Sequence, residues 1–183
     1  MEMNLPNKLT LLRIILIPVF IIILSIPSPT DVFGIPLMHL LAAIIFAFAS
    51  ATDWLDGYLA RRDNLVTNFG KFADPLADKM LVMTAFIMLV GISFVPAWIA
   101  AVIICRELAV TGLRLLLVEN GGAVLAAAMP GKIKTATQMI SIILLLLGFH
   151  TVGTIVLYIC LFFTVYSGYE YFAKNMQVFK DVK

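Results

Sequence analysis

Apolar runs of about twenty residues recur along this chain, and no other feature limits its fold so severely. One run of that length crosses the roughly 30 Å hydrocarbon layer of a bilayer as a single α-helix. Water is absent there, so each backbone N–H and C=O must be satisfied within the segment, which a helix does. Six spans are expected, at about 9–27, 36–60, 72–92, 96–118, 133–149 and 152–172. They make one all-α integral membrane domain covering residues 1–183, with no repeat, linker or low-complexity segment. Composition agrees: 62% of the residues are hydrophobic and 13% charged, against roughly 45–50% and about 25% in soluble domains. The first run ends in Ser-Ile-Pro-Ser-Pro rather than a cleavage pattern, so it is expected to stay in the mature protein. Cys105 and Cys160 lie inside separate runs and read as core thiols, not as a disulfide.

Orientation follows from lysine and arginine. The loops 27–35, 91–97 and 148–153 contain none of the 13, which fall in the N-terminal segment, around 61–79, 106–134, and in the tail from Lys174. By the positive-inside rule both termini and the 61–71 connection are cytoplasmic, in a multi-pass plasma-membrane protein.

Four carboxylates then stand out. Asp53 and Asp56 lie three apart at the end of the second span, and Asp74 and Asp78 four apart at the start of the third. Those spacings put each pair on one helix face. An aspartate at mid-span costs on the order of 2.5–3.5 kcal/mol, less near a helix end, and four together repel one another. Divalent metal removes both penalties. Carboxylate oxygens suit Mg²⁺ or Mn²⁺, four could hold two ions, and Mg²⁺ commonly keeps positions open for substrate phosphates. Gly57 and Ala60 leave room on the Asp53 face, and Arg61 sits where a phosphate would arrive. Gly70, a turn ahead of the third span, lets bare backbone approach a ligand; Pro75 falls in that span's first turn.

Two other readings compete. The aspartates could pair with Arg61, Lys71 and Lys79 as an interfacial rim, or mark a cation or proton pathway. A pathway needs ionisable groups through the whole thickness, whereas the outer half offers only Asp31, His39 and His150 near its surface. A one-sided site suits an enzyme acting on a lipid headgroup.

The pattern Asp53-x2-Asp56-Gly57-x2-Ala60-Arg61-x8-Gly70-x3-Asp74-x3-Asp78 resembles the signature of the CDP-alcohol phosphatidyltransferases at every fixed position. The resemblance extends over nearly the whole chain, because that family also has six spans with the signature at the end of the second and start of the third. It implies that Asp53, Asp56 and Asp74 ligate one metal ion, and that Asp53, Asp74 and Asp78 contact a second, with Asp78 as general base. It also implies that Gly57, Ala60, Arg61 and Gly70 line the site for the CDP group. Asn7, Thr10 and Arg13, on a short interfacial helix leading into the first span, look like the family's start. They either contact the cytidine or its phosphates or form a polar interfacial face with a cap.

The acceptor alcohol must be set elsewhere. Arg106 and Arg114 are eight apart, hence on nearly the same helix face, and Lys132 and Lys134 follow Gly131. This set is similar to members of the family whose acceptor is sn-glycerol 3-phosphate, whose phosphate dianion needs cations beyond the metals. The alternative is that the four merely enforce orientation; Glu107 could orient Arg106. The resemblance therefore implies CDP-diacylglycerol and glycerol 3-phosphate as substrates, a homodimer in the bilayer, and no nucleic-acid partner. Other acceptors (phosphatidylglycerol, serine, an inositol compound) and a cation-coupled transporter stay open.

Overall fold

A computed structural model describes residues 5–62, 68–119 and 129–176, with side chains over 7–52, 76–117 and 129–176. Within these residues the chain is helical almost throughout. The helices are α1 (Leu5–Ser25), α2 (Leu37–Arg62), α3 (Asn68–Gly91), α4 (Ala97–Glu119), α5 (Met129–Leu146) and α6 (His150–Lys174). At 1.5 Å per residue, the shortest, with 18 residues, is about 27 Å long. Two segments, Asn7–Ser25 and His150–Lys174, are long and apolar enough to cross a membrane by length and composition, and Leu37–Thr52 is a shorter apolar stretch. In α3, α4 and α5 the apolar run is broken by ionisable residues such as Asp78, Arg106 and Lys134. Those residues belong to the site described below.

Two details differ from the sequence expectation. The short interfacial helix expected ahead of the first span is not separate, because Leu5 to Ser25 form one continuous helix. Nothing between Arg13 and Ile14 stops a helix, so the polar turn and the apolar span share one axis. Likewise α3 starts at Asn68, four residues before the expected 72. Gly70 is therefore helical, and Pro75 lies beyond the first turn. The apolar pattern marks where a span enters hydrocarbon, and a helix can start earlier.

The connections at the end without lysine or arginine are short and closed by local chemistry. Phe94 N–H reaches Leu89 O at 2.9 Å and Ser93 N–H reaches Val90 O at 3.0 Å, with Ser93 at φ 61°. After α5, Phe149 N–H reaches Leu144 O at 2.9 Å and Gly148 N–H reaches Leu145 O at 3.1 Å, with Gly148 at φ 80°. Both ends use a left-handed residue to satisfy terminal carbonyls. Between α1 and α2 a two-residue ladder, Asp31–Val32 with Ile35–Pro36, turns at Phe33 and Gly34. It was not expected from the sequence, which offers only two strand residues on each side. Phe94 stacks edge-on with His39 (5.3 Å) and with His150 (4.5 Å), drawing together the start of α2, the α3–α4 turn and the start of α6.

The core runs from Ile17, Phe20 and Leu24 through Ala42, Ala43, Phe46 and Ala49 to Leu81, Ala85, Phe86 and Leu89 of α3, and on to α5 and α6. The alanines of α2 let α1 come close, which is how helices gain contact where hydrocarbon surrounds them and hydrophobic drive is weak. Meanwhile Ile22, Ile44, Phe48, Ile87, Leu108, Leu115, Ile155 and Phe162 are exposed. A bundle apolar inside and outside is suited to lipid. Cys160 is buried as expected, whereas Cys105 is exposed on the outer face of α4; both are free thiols.

Candidate functional site

At the charged end of the bundle a cavity of about 260 Å³ opens between α3, α4, α5 and α6. Asp78 and Lys79 enter it from α3, Arg106, Glu107 and Arg114 from α4, and Lys134 and Thr135 from α5. Ser167, Glu170, Tyr171 and Lys174 close it from the last turns of α6.

Most of these cations are held rather than loose. Glu107 accepts from Lys134 Nζ and, at 3.1 Å, from Arg106 Nη1, so one carboxylate fixes two cations from two helices. Arg106 Nη2 also donates to Ser167 Oγ at 2.9 Å. Lys79 Nζ donates to Thr111 Oγ1, whose own hydroxyl donates to the Glu107 carbonyl at 2.6 Å. Lys174 pairs with Glu170 at 2.5 Å on the rim.

Several donors on these walls have no partner among the described residues: Arg106 Nε, Arg114 Nε and the Tyr171 hydroxyl, all buried. Enclosed polar atoms nearly always have partners, and leaving one without a partner is costly. A cavity of this size, rich in cations and unsatisfied donors, has the chemistry to take a small anion. Charge-assisted bonds from Arg and Lys favour phosphate in particular.

Of the residues singled out in the sequence, Asp78, Arg106, Arg114 and Lys134 meet in this cavity. Lys132 does not: it is exposed, because residues two apart on a helix face nearly opposite ways. Glu107 supports Arg106 as expected, but it also takes Lys134. Sequence reasoning gave Lys79 a part only in an interfacial rim, missed Thr111, and gave α6 no part in the site. A signal was available, since Ser167, Glu170, Tyr171 and Lys174 recur at helical spacing in an otherwise apolar segment.

The N-terminal trio faces inward. Thr10 and Arg13 have no exposed surface and Asn7 is buried. Arg13 Nε donates to the Ala49 carbonyl of α2 at 3.3 Å, one turn before Asp53.

Asp53, Asp56, Gly57, Ala60 and Arg61 lie in the final turns of α2, and Gly70 and Asp74 in the early turns of α3. Their side chains lie outside the described residues. The five-residue connection 63–67 keeps the facing helix ends within about 20 Å of each other. The donor set offered is all carboxylate oxygen, which fits a hard divalent ion.

A helical, membrane-type bundle with a phosphate-sized cationic cavity beside an aspartate defines an enzyme of phosphate-ester chemistry. The chain belongs to the CDP-alcohol phosphatidyltransferase family, whose pattern matches residues 3–166. It is 53% identical to the CDP-diacylglycerol–glycerol-3-phosphate 3-phosphatidyltransferase of Bacillus subtilis, with 97% of each chain covered. It is 44% identical to the protein of that name from Rickettsia bellii, covering 92% of this chain and 93% of the other. The corresponding Shigella flexneri protein is 37% identical over 93% and 94%.

Proposed function

We propose that this protein transfers the phosphatidyl group from CDP-diacylglycerol to sn-glycerol 3-phosphate, giving phosphatidylglycerophosphate and CMP in phospholipid biosynthesis. The observation that carries this reading is the cavity in which Asp78 stands beside Arg106, Arg114 and Lys134. Its volume of about 260 Å³ falls below the roughly 300–1,000 Å³ of drug-sized sites, which suits a three-carbon phosphate. The names of the relatives point to the same acceptor.

In this mechanism Arg106, Arg114 and Lys134 bind the acceptor's phosphate and aim its primary hydroxyl at Asp78. Asp78 takes the hydroxyl proton as general base. The alkoxide attacks the phosphorus that carries diacylglycerol, the P–O bond to CMP breaks, and CMP leaves with the electron pair. Asp53, Asp56 and Asp74 would hold one Mg²⁺ or Mn²⁺ ion, and Asp53, Asp74 and Asp78 a second. Such ions would offset charge on the attacked phosphate and on the leaving group. Gly57, Ala60, Arg61 and Gly70, with Asn7, Thr10 and Arg13, would receive the CDP group.

The same proposal includes six spans, both termini and the cavity in the cytoplasm, and a homodimer. The cavity's charged walls all come from one end of the bundle, and the turns at the opposite end carry no lysine or arginine. The test is CMP release by purified protein from labelled CDP-diacylglycerol with a panel of acceptors. Release with glycerol 3-phosphate and not with phosphatidylglycerol, serine or inositol compounds is expected. Release with none would favour a transporter, and release only with another alcohol would replace the acceptor.

A further inference from the structure

We infer that Gln138 recognises the non-reacting hydroxyl of the acceptor and so sets which polyol phosphate is used. The inference rests on the assignment of the main cavity to the acceptor. Gln138 lies on α5 one turn beyond Lys134 and is 3% exposed. Its amide nitrogen is enclosed and has no hydrogen-bond partner among the described residues. It lines a recess of about 20 Å³ that shares Asp78, Lys79, Glu107, Lys134 and Thr135 with the main cavity. A space of that size holds one water-sized group.

Position and chemistry agree on what that group is. With its phosphate on Arg106, Arg114 and Lys134 and its terminal hydroxyl at Asp78, the acceptor spans the cavity. Its middle carbon then falls between the cations and the base, where the recess opens. The recess lysines are already engaged, Lys79 by Thr111 and Lys134 by Glu107. Thr135 already donates its hydroxyl to the Gly131 carbonyl, and Val82 and Met83 offer no polar group, so the free amide nitrogen is the donor available. A neutral amide both donates and accepts, which suits a hydroxyl, whereas the guanidinium and ammonium groups suit the dianion. The competing occupant is a fixed water that the substrate never meets.

The test compares glycerol 3-phosphate with 3-hydroxypropyl phosphate, the same acceptor without its middle hydroxyl, using the full chain in detergent with CDP-diacylglycerol. The wild type is expected to lose about tenfold or more in kcat/KM with the deoxy acceptor, as befits an unpaired buried donor. Gln138→Leu is expected to lose a similar factor with glycerol 3-phosphate and to be unchanged with the deoxy acceptor. Equal use of the two acceptors by the wild type would overturn the inference with no variant needed. So would a Gln138→Leu or Gln138→Met enzyme that falls equally on both acceptors, the result a fixed water or a packing role gives. Arg114→Gln serves as control and should raise KM for both acceptors. If it leaves both unchanged, the assignment of the cavity itself fails, and this inference with it.

Discussion

Glu107 of α4 and Lys134 of α5 form a buried ion pair, with side chains only 9% and 8% exposed. Because Glu107 also holds Arg106, it neutralises part of a cation cluster that would otherwise repel itself. It leaves the cavity with an excess of positive charge, which the phosphate of the proposed acceptor would meet. Removing one partner of a buried pair costs about 3–5 kcal/mol, since the other charge is left uncompensated. Glu107→Gln should therefore lower the unfolding temperature in detergent by several degrees. Added inorganic phosphate should restore more stability to the variant than to the wild type, because the anion takes the place of the lost carboxylate. A phosphate effect equal in the two proteins would count against this role.

Asp78 lines the cationic cavity, and the proposed chemistry gives it the proton of the attacking hydroxyl. A positioned general base contributes on the order of 10²–10⁴-fold. Asp78→Asn should lower CMP release by at least the smaller factor. The cations Arg106, Arg114 and Lys134 remain in that variant, so thermal stabilisation by glycerol 3-phosphate should persist. Turnover near wild type would remove Asp78 as the base.

The acidic residues of α2 and α3 supply only oxygen ligands, so activity should follow a hard divalent ion. Chelation should abolish CMP release, and Mg²⁺ or Mn²⁺ should restore it. Asp53→Asn, Asp56→Asn and Asp74→Asn should each raise the metal concentration needed for half-maximal activity, while Lys132→Ala should not. Full activity after exhaustive chelation would exclude the two-ion reading.

Much of the architecture could be read from residues because the bilayer is a strict solvent. Runs such as Met80 to Val90 and Ile140 to Leu146 were expected to be helical, and they are. That Arg106 and Arg114 meet in one cavity was legible for a related reason: they have no place on an apolar helix unless something anionic meets them. Which lysine of the pair 132 and 134 turns inward was not legible, since that depends on how α5 rotates against α6. The part of α6 stayed hidden because Ser167 and Tyr171 are ordinary residues near a helix end. They acquire a role only when Arg106 is seen beside them. The position of Gln138 beside the cavity was not legible either, as a lone amide inside a span usually reads as a packing residue with a local partner.

Two glycines of α6 separate stability from acceptor binding. A Cβ on Gly153 would lie 2.9 Å from Leu145 Cδ2 and Cγ and 3.2 Å from the Leu145 backbone nitrogen. Backbone cannot step aside, so Gly153→Ala should force α5 and α6 apart. Overpacking costs about 1–3 kcal/mol, and the gain in helix propensity, up to about 1 kcal/mol, offsets only part of it. The unfolding temperature should fall while the KM for glycerol 3-phosphate stays put. A Cβ on Gly168 would instead meet Arg106 Cγ at 3.1 Å. That is a flexible stem, and it yields by displacing the guanidinium from Ser167 and from the cavity. Gly168→Ala should therefore raise the acceptor KM severalfold with little change in unfolding temperature. If the two substitutions acted alike on both measurements, Arg106 would not be the point through which α6 shapes the acceptor site.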